Sequence, residues 1–311
     1  MGLDRTVLGS FVRAARVPAH GMIALPLLWG QAVALVVTGR FEWGWFAVIH
    51  LFGALCQIYI LYLNDVADEA IDRDTRGTWL SGGSRVIPEG RLSGRQLRHG
   101  AVVALAGMGL VSLAVASFDR PWMLLLFALA AGAGWTYSLA PIRSSYRGTG
   151  DLHQALSCGV LLPLLAFYLQ SGSLAGFPWT LLLPMCLIFF AGGLVTALPD
   201  VEADRRGGKR TFPVRHGERR AACVAAWLMV LACLLAPALS DRWLSWHRMV
   251  LLVSGPALIL LALVIPTIRT TREETGSMAD RMRFASIATA SQAWMLTAWT
   301  GALLWDGLLK R

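Results

Sequence analysis

Residues 43–63 read WGWFAVIHLFGALCQIYILYL without a single charge, and the chain then turns at once to Asn64-Asp65-Val66-Ala67-Asp68-Glu69-Ala70-Ile71-Asp72-Arg73-Asp74. An α-helix needs about 20 apolar residues to cross the hydrocarbon core of a bilayer. The run meets that length, and the sudden return of carboxylates marks where it leaves the lipid. Stretches of the same character occur at 20–38, 99–117, 121–138, 151–170, 177–198, 220–239, 246–265 and 284–305. The expectation is an all-α polytopic membrane protein, a bundle of nine transmembrane helices, with 1–311 forming a single membrane-embedded domain.

Composition agrees with lipid as the main solvent. The 311 residues are 56% hydrophobic and 15% charged, with a mean hydropathy of +0.56, whereas a soluble domain carries about 25% charged residues. Disorder is excluded by the abundance of Leu, Val, Ala and Ile. A disulfide scaffold or zinc site is excluded because Cys56, Cys158, Cys186, Cys223 and Cys233 all lie inside apolar runs without ligand spacing; they are expected to pack as small hydrophobes. The net charge of +9 suggests no nucleic-acid partner, because 22 of the 28 Lys and Arg fall on one alternating set of loops. That asymmetry is the positive-inside bias of a membrane protein. It places the N-terminus and the acid-bearing loops in the cytoplasm and the C-terminus outside. The first apolar run is too long for a signal peptide, and Met1-Gly2-Leu3-Asp4-Arg5-Thr6 fits a lipidation pattern that nine spans make redundant.

Two segments carry the chemistry, both leaving even-numbered spans on the cytoplasmic side. If the helix continues past Leu63, Asn64, Asp68 and Asp72 repeat at i, i+4 and i+8 on one face, with Asp65 beside them. Asp200 and Asp204 share a face in the same way after the span ending at Leu198. Stacked carboxylates from two helices repel unless counter-ions intervene, and a divalent metal supplies them. An all-oxygen donor set without His or Cys selects a hard cation, Mg²⁺, which leaves positions for phosphate oxygens. Each acidic segment precedes a basic loop with glycine, Gly82-Gly83-Ser84-Arg85-Val86-Ile87-Pro88-Glu89-Gly90-Arg91 and Arg205-Arg206-Gly207-Gly208-Lys209-Arg210-Thr211-Phe212. Glycine permits close backbone approach to an anion and fixed positive charge stabilises its oxygens. A single acidic cluster reads equally well as a solvated helix end; two, each followed by such a loop, favour a shared diphosphate site.

These residues resemble the UbiA-type intramembrane prenyltransferase superfamily. Asn64-Asp65-x-x-Asp68-x-x-x-Asp72 is similar to its first aspartate-rich motif and Asp200-x-x-x-Asp204 to its second. Gly82 to Ile87, Tyr137-Ser138 with Pro141, Arg147 to Leu152 and Gly208 to Thr211 resemble connecting segments of members that prenylate naphthoate-like acceptors. Thr196 departs from the Asn that such members tend to carry. The resemblance implies a nine-helix bundle around a central cavity, a prenyl diphosphate held through Mg²⁺, and transfer to an aromatic or other lipophilic acceptor in quinone-type or secondary metabolism. It implies metal ligands at Asn64, Asp65, Asp68, Asp72, Asp200 and Asp204, the four aspartates other than Asp65 being the catalytic set. Diphosphate contacts are expected from Arg85, Tyr137, Arg143 and Lys209.

Two other readings share the sequence features. A membrane terpene synthase of the same superfamily begins with the same ionisation and dispenses with the acceptor. A cation transporter would use the carboxylates as an ion path, but such sites lie near the bilayer midplane and these acids stand at helix ends. Trp29, Trp43, Trp45, Phe46, Tyr59, Tyr62, Trp135, Tyr168 and Phe190 are available to shield a carbocation, though belts and packing account for most of them. Asp151 and His153 open the fifth span, where a helix cap is the plain account of Asp151 and contact with the acceptor or the loops is the alternative. His20 and His50 are expected to make helix-packing hydrogen bonds.

Overall fold

The computed structural model describes residues 5–73, 82–263 and 277–309, and every regular element among them is helical. The expectations that rest on Met1 to Asp4, on Asp74 and on the charges within 264–276 and 310–311 lie outside the described residues. In chain order the helices are α1 Arg5–Ala14, α2 Gly21–Thr38, α3 Trp43–Ala67, α4 Glu69–Arg73, α5 Gly94–Ala116, α6 Met123–Ser138, α7 Ser144–Arg147 and α8 Gly150–Leu156. They continue with α9 Leu162–Ser171, α10 Leu182–Ala197, α11 Val201–Arg206, α12 Phe212–His216, α13 Glu218–Ser240, α14 Trp246–Arg248, α15 Gly255–Ala262 and α16 Met278–Leu309.

Among the described residues six stretches are long and apolar enough to cross a membrane: Gly21–Thr38, Trp43–Ala67, Gly94–Ala116, Gly150–Ser171, Trp179–Ala197 and Glu218–Ser240. The chain is an integral membrane protein. Met123–Ser138 and Trp246–Ala262 are apolar but shorter; sixteen residues at 1.5 Å each rise about 24 Å, less than the ~30 Å hydrocarbon core. The longest helix, α16, carries Asp280, Arg281 and Arg283 in its first turns. The structure therefore supports six spans by length and composition where nine were expected.

Boundaries follow local chemistry. α5 starts five residues before the apolar run because Ser93 and Gln96 form a capping box: Gln96 N–H donates to Ser93 Oγ at 3.2 Å and Ser93 N–H to Gln96 Oε1 at 2.8 Å. Between α8 and α9 the helix widens into a π-turn over Ser157–Leu161, just before Pro163, which has no N–H to continue the regular ladder.

α2 organises the interior. Ile23 and Leu27 enter one hydrophobic core shared with α3, α5 and α9, while Trp29, Ala32, Val33 and Ala34 enter another built from α10, α13, α15 and α16. Gly30 allows this double contact, since a Cβ there would overlap the Pro163 carbonyl oxygen on α9. Trp29 meets Trp299 of α16 edge to face at 5.2 Å. The polar side chains inside the bundle pair off as expected: His20 Nδ1 lies 2.6 Å from Gln57 Oε1 and His50 Nε2 lies 3.1 Å from Gln31 Nε2. All five cysteines are free thiols.

Candidate active site

Both acidic rows form where a long helix breaks and restarts. At the end of α3 the backbone ladder carries across the break, Asp68 N–H donating to Asn64 O and Asp72 N–H to Asp68 O, each at 2.9 Å. The i, i+4, i+8 row therefore survives into α4. Pro199 ends α10 and the chain restarts as α11 with Asp200 at its N-cap; Asp204 N–H donates to Asp200 O at 2.8 Å. α4 and α11 pack together, and Gly207 makes this possible because a Cβ there would collide with Ile71.

Asn64, Asp68, Asp72, Asp200 and Asp204 line one cavity of about 180 Å³, with Lys209 and Tyr137 on its walls. Lys209 Nζ donates to Asp68 Oδ2 at 2.9 Å and lies 3.5 Å from Asp204 Oδ1. Tyr146 O–H donates to the other Asp68 oxygen at 2.8 Å, and Thr211 O–H reaches Asp204 Oδ2 at 3.3 Å. Arg210 N–H donates to Tyr146 O at 2.9 Å and so fastens the basic loop to α7. The glycine loop closes the other side: Gly83 adopts φ 69°, and a Cβ there would overlap the Asp72 carboxylate. Only glycine tolerates that conformation at that distance.

Asp65 is placed differently from its neighbours. It is buried outside the cavity lining, with Arg16 and the Ser84 hydroxyl donating to its two oxygens and Ser84 N–H a further 3.4 Å away. It anchors the glycine loop. Arg85 Nη1 donates to Asp72 O at 2.9 Å, and Arg143 Nη2 to Ala67 O at 2.8 Å while its guanidinium lies 3.4 Å from the Tyr146 ring centre. Arg143 lines a neighbouring cavity of about 290 Å³ with Tyr146 and Arg206. These two cations thus cap helix carbonyls, where positive charge is favoured, and stand outside the lining of the acidic cavity.

Several contributors escape a reading of the sequence. Tyr146, Arg16, Ser84 and Thr211 act through contacts across long separations, and only their polarity beside the motifs marks them. Of the two readings of Asp151, the structure favours the second: α8 begins at Gly150 with Thr149 at its cap, and Asp151, in the first turn, lines the cavity.

Charge burial sets the electrostatics. The Asp72 carboxyl is pushed up to about 7 by burial and by the charges of Asp68 and Asp65. Asp204 is raised to about 6, burial and Asp200 outweighing the opposing pull of Lys209. Burial alone would lower Lys209, but Asp68 and Asp204 overcome it and hold the ammonium charged. Burial and Asp68 raise Tyr146, keeping its phenol protonated. The donor set of carboxylates with one amide suits a hard divalent cation. Among the described residues no three acidic, His or Cys side chains converge closely enough to hold one metal ion, since Lys209 stands between Asp68 and Asp204.

The comparisons with known proteins agree with this architecture. The sequence model of the UbiA prenyltransferase family matches residues 23–288. A 2-carboxy-1,4-naphthoquinone phytyltransferase of Synechocystis sp. is 26% identical over 79% of this chain and 79% of its own. The bacteriochlorophyll synthase 33 kDa chain of Cereibacter sphaeroides is 33% identical over 51% of this chain and 52% of its own. In fold, a UbiA homologue from Archaeoglobus fulgidus, solved with GPP and Mg²⁺ bound, superposes with a TM-score of 0.67 at 19% identity, covering 95% of this chain and 99% of that one. The chain therefore belongs to the UbiA prenyltransferase family and is an enzyme of that class.

Proposed function

We propose that this enzyme transfers a prenyl group from a prenyl diphosphate to an aromatic or other lipophilic acceptor inside the membrane, with Mg²⁺ as cofactor. The observation that carries the reading is the meeting of two acidic rows, from α3–α4 and α10–α11, in one cavity beside Lys209. One relative is named a 2-carboxy-1,4-naphthoquinone phytyltransferase and another a bacteriochlorophyll synthase chain, which supports a ring-bearing, lipid-soluble acceptor here. The proposal takes the chain as a single membrane-embedded domain of nine spans, N-terminus and acidic cavity cytoplasmic, C-terminus outside.

In this reading Asn64, Asp68, Asp72, Asp200 and Asp204 would hold Mg²⁺, whose charge would offset that developing on the leaving diphosphate. Ionisation breaks the bond between prenyl C1 and the diphosphate oxygen, leaving an allylic cation. Lys209 supplies fixed positive charge on the leaving-group side, and Tyr137 a hydroxyl donor. Asp65, with Arg16 and Ser84, keeps the Gly82-Gly83 loop closed over Asp72. The apolar interior of the bundle keeps water from the cation until the acceptor attacks. Arg85 and Arg143 hold the helix ends that present the acids.

The test is incubation of the purified protein with labelled prenyl diphosphates, Mg²⁺ and a panel of quinone precursors. A lipophilic adduct that disappears in Asp68→Ala and Asp200→Ala supports transfer. Hydrocarbon formed from the diphosphate alone would assign cyclisation instead, and undiminished product in both variants would refute the site.

A further inference from the structure

Outside the two acidic rows, Asp151 is the carboxylate that lines the acidic cavity. It stands on α8, facing Gly193 of α10 so closely that a Cβ at Gly193 would lie 2.9 Å from Asp151 Oδ1. Gly193 and Asp151 lie inside the spanning stretches Trp179–Ala197 and Gly150–Ser171, whereas Asp200 and Asp204 follow the break that ends α10, so Asp151 lies on the membrane side of the acids. Gln154, three residues on and on the same helix face, lines the cavity too. Among the described residues no other residue donates a hydrogen bond to Asp151, and Gln154 has no side-chain partner. The other cavity acids are committed elsewhere: Asp68 and Asp204 to Lys209, Asp72 beneath Gly83, and Asp200 to a partner of its own. Nearby His153 is no rival, since Nδ1 faces Ser144 Oγ at 3.1 Å and its ring packs on Tyr137.

Resting on the prenyl-transfer reading, we infer that Asp151 is the proton acceptor of the reaction and, with Gln154, marks the acceptor subsite, which takes an electron-rich ring bearing hydrogen-bonding oxygen. The chemistry requires such a group. When a ring carbon attacks prenyl C1, the new C–C bond forms as the C1–O electrons depart with the diphosphate. That ring carbon then holds both the prenyl group and its original hydrogen. The Asp151 carboxylate takes the proton, and the C–H electrons return to the ring and restore its aromaticity. A base on the membrane side of the acids meets the acceptor without competing for the leaving group. Gln154 offers an amide donor to the acceptor's oxygen, so its position selects oxygenated rings over plain hydrocarbons.

The decisive experiment follows Asp151→Asn with an acceptor deuterated at the alkylated ring carbon, in the full-length protein in detergent or nanodiscs. Transfer is expected to slow on the order of 10²-fold. A primary isotope effect absent from the wild type should emerge as proton loss becomes limiting, while Mg²⁺-dependent binding of prenyl diphosphate stays intact. Gly193→Ala, which pushes on the Asp151 side chain without altering any titratable group, should move the acceptor-side kinetics in the same direction and serves if Asp151→Asn is unstable. Wild-type turnover in Asp151→Asn, slower transfer without the isotope effect, or lost prenyl diphosphate binding each overturn the assignment. A wild-type protein that yields no adduct with any acceptor overturns the transfer reading itself, which separates the two failures.

Discussion

Lys209 Nζ donates to Asp68 Oδ2 at 2.9 Å, joining residues 141 apart in sequence across the cavity. The same ammonium lies 3.5 Å from Asp204, so one cation holds both acidic rows. Removing one partner of a buried ion pair leaves an uncompensated charge and costs about 3 kcal/mol. Lys209→Met is therefore expected to lower the melting temperature of the metal-free protein. Mg²⁺ should recover more stability in the variant than in the wild type, because metal and ammonium neutralise the same carboxylates. Thermal unfolding with and without Mg²⁺ checks both effects.

Proton and metal compete for the same oxygens. With Asp72 raised to about 7 and Asp204 to about 6, both carboxyls bind protons more tightly folded than unfolded. The metal-free protein accordingly loses stability as pH rises from the ordinary carboxylate value near 3.8 through 7. Mg²⁺ binding displaces those protons, so its stabilisation should grow over the same interval and level off above pH 7. Melting curves at pH 5.5 to 8.5, with and without Mg²⁺, measure this. A metal-induced shift that shrinks with rising pH would contradict it.

Gly83→Ala tests the glycine loop. The added methyl meets the Asp72 carboxylate, and φ 69° is strained for any L side chain, about 1 kcal/mol on backbone grounds alone. Displacing a catalytic carboxylate by about 1 Å costs roughly 10²-fold in rate. Prenyl transfer should fall by that order with a raised Mg²⁺ requirement and only a small change in melting temperature.

Arg281 of α16 reaches Glu202 at 2.6 Å and Glu218 at 3.0 Å while almost fully buried. It ties the last helix to α11 and α13 behind Asp204. Glu202 is largely exposed, which limits its share of the energy. Arg281→Leu strands Glu218 and is expected to destabilise the protein by about 3 kcal/mol, read as a lower midpoint in denaturant. Double substitution with Glu218→Gln should recover part of the loss.

How far sequence reached depended on the range of the interaction. Apolar runs and the i, i+4 spacing of Asn64, Asp68, Asp72, Asp200 and Asp204 are local properties of a helix, fixed by its 3.6-residue turn, so the helical membrane fold and the acidic rows were legible before any coordinates. Lys209 was legible too, as the cation following the second row. The partners of individual charges were not. Arg16 lies 49 residues from Asp65 and Tyr146 lies 78 from Asp68, separations over which no periodicity operates. Arg85 and Arg143 looked equivalent to Lys209 because positive charge in a loop carries no direction; the backbone turned them onto helix carbonyls. Asp151, opening an apolar run, read as a cap or as a contact to acceptor or loops, and only the packing of Gly193 from another helix decided for the cavity. Local chemistry determined which groups this protein possesses, and the packing of α3, α8 and α10 decided which of them meet, since burial and close approach exist only between segments the fold has brought together.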